Sequence, residues 1–215
     1  MKCKIFICIV ILSNHVIAQD GWSWENPLPH GNSMSDIHVF NSNSAIAVGS
    51  FGTIMKSNDA GISWTKIESG TTSNLSSVFF TDNNTGWAVG YAGVVLSTSD
   101  AGNTWVQQSS GITTNINSAF FTDGNTGWAV GASGKILKTT DSGNNWTQQT
   151  SNTTNSLSDV FFINANSGYI TKLSNILLKT TDGGTTWVND TIPEYNIFFQ
   201  ANSIFFLNSS EGWLA

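Results

Sequence analysis

The sequence predicts an all-β chain, a β-propeller built of four-stranded antiparallel blades. Three observations carry that prediction: a 41-residue repeat, the same turn signal and tryptophan in every copy, and no segment of helical period between them. Asp59, Asp100, Asp141 and Asp182 stand 41 residues apart, and Trp64, Trp105, Trp146 and Trp187 follow each of them by five. The units that begin at Trp64 and Trp105 share 23 identities in 41 positions. Shared composition does not produce that agreement, so one unit has been copied, and a period of this size denotes a propeller, a solenoid or an array.

Each unit reads as four short strands, over residues 75–81, 86–91, 94–99 and 105–109 in the second copy, bounded by Gly, Asn, Asp or Ser. The first is the run Val78-Phe79-Phe80, copied as Ala119-Phe120-Phe121 and Val160-Phe161-Phe162. Such a run does not alternate, so both of its faces are expected to be covered, as in a small sheet packed between two like it. The second strand carries Gly86-Trp87-Ala88-Val89-Gly90, and the same step leads to Gly127-Trp128-Ala129-Val130-Gly131. Four strands per unit, stacked face to face around an axis, make a propeller blade. A β-solenoid is the structural rival, but its coils are shorter and rarely need an Asp-Gly hairpin in each.

Between the third and fourth strands lies the turn that contains the repeated aspartate. In Thr180-Thr181-Asp182-Gly183-Gly184-Thr185-Thr186-Trp187 the carboxylate is placed to accept N–H groups of its own turn, and glycine supplies a positive φ. Asp59, Gly61, Trp64 and their copies Asp100, Gly102, Trp105, Asp141, Gly143, Trp146, Asp182, Gly184 and Trp187 are therefore read as structural. The tryptophan is expected to wedge between blades, where burying ~150–250 Å² at roughly 25 cal/mol per Å² is worth about 4–6 kcal/mol gross.

The two ends differ from the repeat. Lys2 and Lys4, an apolar run from Ile5 to Leu12, and Val16-Ile17-Ala18 before Gln19 have the layout of a cleavable export signal, so residues 1–18 are assigned to it and 19–215 to the repeat domain. A retained anchor is the weaker reading, because the apolar run is short for a bilayer. Cys3 and Cys8 both fall inside that signal, leaving the mature chain no thiol for a disulfide or a metal. An exported location follows: periplasmic, cell-surface or extracellular. At the other end Ile204-Phe205-Phe206 and Gly212-Trp213 begin a fifth unit displaced by three residues, so about four and a half blades are expected, a fragment of a longer propeller.

The turn Ser57-Asn58-Asp59-Ala60-Gly61-Ile62-Ser63-Trp64 and its copies resemble the Asp-box, or BNR repeat, of sialidases and related propellers. The longer phrase Val78-Phe79-Phe80-Thr81-Asp82 through Gly86-Trp87-Ala88-Val89-Gly90 is similar to the photosystem II stability/assembly factor propellers. That resemblance implies a ring of seven blades (six to eight) and a docking or assembly role, exercised by a basic, arginine-bearing face. The chain has eight lysines against 14 acids and no arginine, so such a face cannot be built here in the same way.

Charge and missing motifs narrow the function further. Without Lys2 and Lys4 the balance is six lysines against 14 acids, 6 − 14 = −8, which argues against nucleic acid or an acidic membrane as partner. No membrane-spanning segment follows the signal, and no metal spacing, phosphate loop or Ser/His/Asp arrangement is visible, so no cofactor or metal is predicted. His38 takes the place of Phe79 in its copy and reads as a strand residue, and His30 falls in a Pro-containing loop.

Two readings of function stay open. In the first, a secreted non-catalytic scaffold binds a protein or glycan through loops of one rim. Its turn between second and third strands offers Phe51, Tyr91 and Leu173, apolar residues that the core does not demand. In the second, the chain is part of a glycoside hydrolase or carbohydrate-binding propeller. A sialidase needs arginines to clamp its substrate carboxylate, and other glycosidases need two carboxylates about 5–10 Å apart. Asp36 and Asp159, which stand where Ser77 and Ser118 lie in the other copies, are the carboxylates placed for that role.

Overall fold

The computed structural model describes residues 2–3, 31–172, 176–191, 201–208 and 211–215. The predicted export signal beyond residues 2–3, His30 and Leu173 lie outside them. Four antiparallel four-stranded sheets follow one another along the chain, each in sequential order. The first contains β2 (Met34–Val39), β3 (Ala45–Gly49), β4 (Ile54–Ser57) and β5 (Thr65–Ile67), and the second β6 (Leu75–Phe80), β7 (Gly86–Gly90), β8 (Val94–Thr98) and β9 (Val106–Ser109). The third contains β10 (Ile116–Phe121), β11 (Gly127–Gly131), β12 (Ile136–Thr139) and β13 (Thr147–Gln149). The fourth contains β14 (Leu157–Phe162), β15 (Gly168–Lys172), β16 (Ile176–Thr180) and β17 (Val188–Thr191). β18 (Ile204–Asn208) and β19 (Glu211–Leu214) open a fifth sheet, on whose edge β1 (Lys2–Cys3) pairs in parallel with β19.

The sheets are blades because their apolar faces close on one another. Each buried cluster straddles two neighbouring sheets: Ile46, Val48 and Ile54 of the first with Leu75, Phe80 and Leu96 of the second. Trp87, Val89 and Val95 then meet Ile116 and Phe121, Trp128, Val130 and Ile136 meet Leu157 and Phe162, and Tyr169 and Leu177 meet Ile204 and Phe206. The first strands of successive blades lie nearest one another, which places them around the axis. Along them runs a ladder of rings, from His38 to Phe79 at 6.4 Å, Phe79 to Phe120 at 4.9 Å, Phe120 to Phe161 at 5.0 Å and Phe161 to Phe205 at 5.6 Å. His38 is thus a strand residue of this ladder; burial lowers its pKa, and the charge of Asp36 opposes that shift.

The wedge expected of the repeated tryptophans is met unevenly. Trp105 and Trp187 are buried, each edge-on to a phenylalanine of its own blade's first strand, Phe80 or Phe162, and inside the cluster shared with the blade before. Trp146 has the same edge contact with Phe121 but is half-buried. Trp64 is half-buried too, and among the described residues no blade precedes its own. On that face Ile37 and Val39 are exposed, while their copies Val78 and Phe80 are buried.

Candidate functional site

The Asp-box turns fix one end of each blade. Asp59 accepts the N–H of Ser63 at 2.9 Å, its hydroxyl at 2.6 Å and the hydroxyl of Ser57 at 2.9 Å. Ser57 in turn accepts the N–H of Gly61 at 2.9 Å. The pattern repeats through Thr98, Asp100, Gly102 and Thr104, and through Thr139, Asp141, Gly143 and Asn145. Thr180, Asp182, Gly184 and Thr186 form the fourth copy. Donors aimed at the ionised form pull the carboxyls down: the N–H and hydroxyl of Thr104 hold Asp100 at about 2, and those of Thr186 hold Asp182 at about 2. Asp59 and Asp141 are lowered by Ser63 and Asn145 in the same way.

The turn needs two consecutive positive φ angles, where the sequence indicated one. Ala60, Ala101 and Ser142 lie at 62°, 61° and 63°, ahead of glycines at 84°, 75° and 85°. Only the fourth copy places glycine at both, Gly183 at 66° and Gly184 at 82°.

In the first three blades the opposite end of the second strand turns through a short 3-10 segment: Ser50–Gly52, Tyr91–Gly93 and Ala132–Gly134. Its middle residue is left-handed in all three, at φ 56° for Phe51, 55° for Ala92 and 57° for Ser133. Glycine follows because a Cβ at Gly52 would collide with the backbone carbonyl of Thr71. Phe51 is 70% exposed and Tyr91 46%. Asn74 brings those two together: its side-chain oxygen accepts the N–H of Phe51 at 2.9 Å, and its backbone carbonyl accepts that of Tyr91 at 2.8 Å. Asn115 does the same one blade on, for Ala92 at 3.2 Å and Ala132 at 2.9 Å. The rim therefore carries two exposed aromatic residues on turns joined through Asn74 at the junction of the first and second blades, with small residues at the next junction. Leu173 falls outside the described residues.

Asp36 and Asp159 sit in the first strands of the first and fourth blades, β2 and β14, with two blades between them. Each is engaged by hydrogen bonds from neighbouring blades. Asp36 accepts the N–H of Val78, in the next blade, at 2.8 Å. Asp159 accepts the N–H of Ile204 at 2.9 Å and the hydroxyl of Ser203 at 3.1 Å on one side, and the hydroxyl of Ser118 at 2.6 Å on the other. A bulge in each first strand, between Met34 and Asp36 and between Leu157 and Val160, accompanies this arrangement. Both carboxylates tie neighbouring blades together. Among the described residues no cluster of His, Cys, Asp or Glu is arranged to hold a metal ion, and no helix is long and apolar enough to cross a membrane.

Stacked four-stranded sheets locked by Asp-boxes, with loops free on one rim, define the class of protein: an Asp-box β-propeller. Within that class the chain belongs to the family described as photosynthesis system II assembly factor YCF48, whose model matches residues 10–98, 62–153 and 140–215. Among solved structures, YCF48 bound to D1 peptide is 16% identical with a TM-score of 0.48, over 88% of this chain and 92% of that one. YCF48 from Cyanidioschyzon merolae is 15% identical with a TM-score of 0.49, over 87% of this chain and 94% of that one. The GH74 enzyme of Niastella koreensis is 17% identical with a TM-score of 0.65; the match takes in 80% of this chain but only 31% of the enzyme. An ancestral GH74 enzyme is 20% identical with a TM-score of 0.62, over 76% of this chain and 25% of that one. The two GH74 likenesses show the propeller fold alone, and this chain spans a part of such a ring. No curated protein matches the chain.

Proposed function

We propose that this chain is an exported, non-catalytic docking propeller that holds a protein segment against the rim at Phe51 and Tyr91. The observation that carries the reading is Phe51 itself. A left-handed backbone costs a residue with a Cβ about 1–2 kcal/mol, and a phenylalanine that stands in solvent recovers little of it by packing. The same turn is served by alanine and serine in the next two blades, so the fold does not ask for an aromatic ring there. Placed beside Tyr91 and pinned through Asn74, it forms an amphipathic, pre-positioned contact of the kind that anchors protein interfaces. Membership of an assembly-factor family supports a protein as the partner, and the excess of acids favours one with basic groups around its apolar contact.

The test is site-specific photo-crosslinking in the producing cell, with a benzophenone side chain at position 51 and, as control, at the exposed Val188 on the outermost strand β17. A discrete adduct at 51 that is absent at 188, and is lost when Tyr91→Ser is combined with the probe, supports the rim. The same adducts from both positions, or none at 51, refute it.

A further inference from the structure

Lys56, Lys138 and Lys179 occupy one position of the repeat, on the third strand of their blades, and Ser97 stands there in the second blade. The first two lysines reach across to the Asp-box of the following blade. Lys56 donates to the carbonyl of Ala101 and to Oδ1 of Asn103, both at 2.9 Å. Lys138 donates to the carbonyl of Gly183 at 2.7 Å, with its ammonium 5.2 Å from the ring of Trp128. Between the second and third blades the same frame stands without a lysine. Ser142 takes the place of Ala101 and Gly183, Asn144 that of Asn103, and Trp87 that of Trp128. Trp87 stacks on Phe121 with ring centroids 3.6 Å apart, as Trp128 does on Phe162, and both indoles are buried. The Asn144 side chain donates to the carbonyl of Asp141 at 2.7 Å, and that of Asn103 to Asp100 at 2.6 Å, which aims the two Oδ1 atoms alike. An open cleft of about 280 Å³ lies here, lined by Trp87, Ser97, Gln108, Ser142 and Asn144 among others.

We infer that this cleft is a binding site for a primary alkylammonium group, which lies at the edge of the buried Trp87 and donates to the Ser142 carbonyl and to Asn144 Oδ1. The chemistry selects that class. A primary ammonium has three N–H donors on a compact charge, suited to convergent carbonyl oxygens. A quaternary ammonium offers no donor, and a planar guanidinium has its donors in a fork built for two parallel acceptors. The Ser142 carbonyl already accepts the indole N–H of Trp87 at 3.0 Å and the side-chain amide of Gln108 at 3.3 Å. Where a lysine holds the corresponding carbonyl, the indole N–H of Trp128 has no partner among the described residues. An incoming amine therefore displaces the Trp87 indole from Ser142, which weakens binding and gives it a signature. Two sources share this chemistry, a lysine side chain of another protein and a free small amine.

The test titrates the ¹⁵N-labelled chain with n-butylammonium chloride, and in parallel with tetramethylammonium chloride and sodium chloride at the same ionic strength. The expected result is a saturable shift of the Trp87 indole resonance with butylammonium alone. Ser97→Lys, which installs the residue of the neighbouring blades, abolishes it by placing a tethered amine in the cleft. Asn144→Thr, the residue that Thr185 supplies in the fourth blade, weakens it at least about fivefold through loss of the amide acceptor, and keeps the inference testable should Ser97→Lys not fold. Tighter binding of Nα-acetyl-lysine methylamide than of butylammonium assigns the site to a peptide lysine, and equal or weaker binding to a small amine. No saturable shift, or the same titration in Ser97→Lys, overturns the site.

Discussion

Replacing Trp105 and Trp64 by alanine, one at a time, separates what a tryptophan gives to its own turn from what it gives to the contact between blades. Both indoles donate to the carbonyl of the glycine three residues before, at 3.1 Å, so the local bond is the same. Trp105 is only 9% exposed and lies between Ile46, Val48 and Ile54 of the first blade and Phe80 and Leu96 of its own. Trp64 has no such partner blade among the described residues. A buried Trp→Ala change costs about 3–5 kcal/mol by lost transfer energy and cavity formation, and a half-buried one about half of that. In a domain of this size 1 kcal/mol moves Tm by roughly 2–4 °C, so Trp105→Ala is expected to lower it by about 6–20 °C and Trp64→Ala by clearly less. Thermal unfolding followed by near-ultraviolet circular dichroism reads both, with urea midpoints as a second measure because a repeat array need not unfold in two states. Equal losses, or a larger one for Trp64, would show that the tryptophan acts within its turn, and would remove the physical basis for stacked blades.

Three further outcomes follow from the same geometry. A carboxyl whose pKa falls on folding stabilises the fold above its unfolded value of 3.8, and that contribution is lost as pH drops through the folded value, about 2 for Asp100 and Asp182. Carboxyl resonances that titrate there support the Asp-box bonds, whereas ordinary values near 4 exclude them. Asp36→Ala leaves the Val78 N–H without its acceptor and is expected to cost about 1–3 kcal/mol, with faster hydrogen exchange at Val78; unchanged exchange at that amide refutes the tie between blades. Phe51→Gly relieves the left-handed backbone and is expected to raise stability by up to about 1 kcal/mol; a loss of stability would mean that the ring packs into the fold and is not held out for a partner.

How much of this was legible in the sequence depends on the range of the contact. The blade, its four strands and the Asp-box follow from neighbours within one unit, and residues 75–80, 86–90, 94–98 and 106–109 form strands where periodicity placed them. Ala60, Ala101 and Ser142 were missed as left-handed residues because alanine and serine carry no turn signal of the strength of glycine or asparagine. The ties made by Asp36 and Asp159, and the reach of Lys56 and Lys138, join residues 41–47 positions apart. Such pairs have no local signature. A signal did exist, since writing the copies under one another puts lysine at 56, 138 and 179 and serine at 97.

That alignment also separates architecture from function in a chain made by copying. A residue type held in every blade answers a demand that every blade meets, and the Asp-box carboxylates, bonded alike in all four copies, meet it without a ligand. Function requires one place unlike the others, so it is sought where a copy departs from the pattern and the departure brings the fold nothing. The two aspartates depart, but each is consumed in joining its blade to the next. Phe51 departs by putting a large apolar ring on a strained and exposed turn that alanine and serine serve equally well. Ser97 departs by withdrawing a cation from a frame that its neighbours fill. Under the two proposals a partner completes each departure, at an exposed side chain on a strained turn in the first case and at an open cleft in the second.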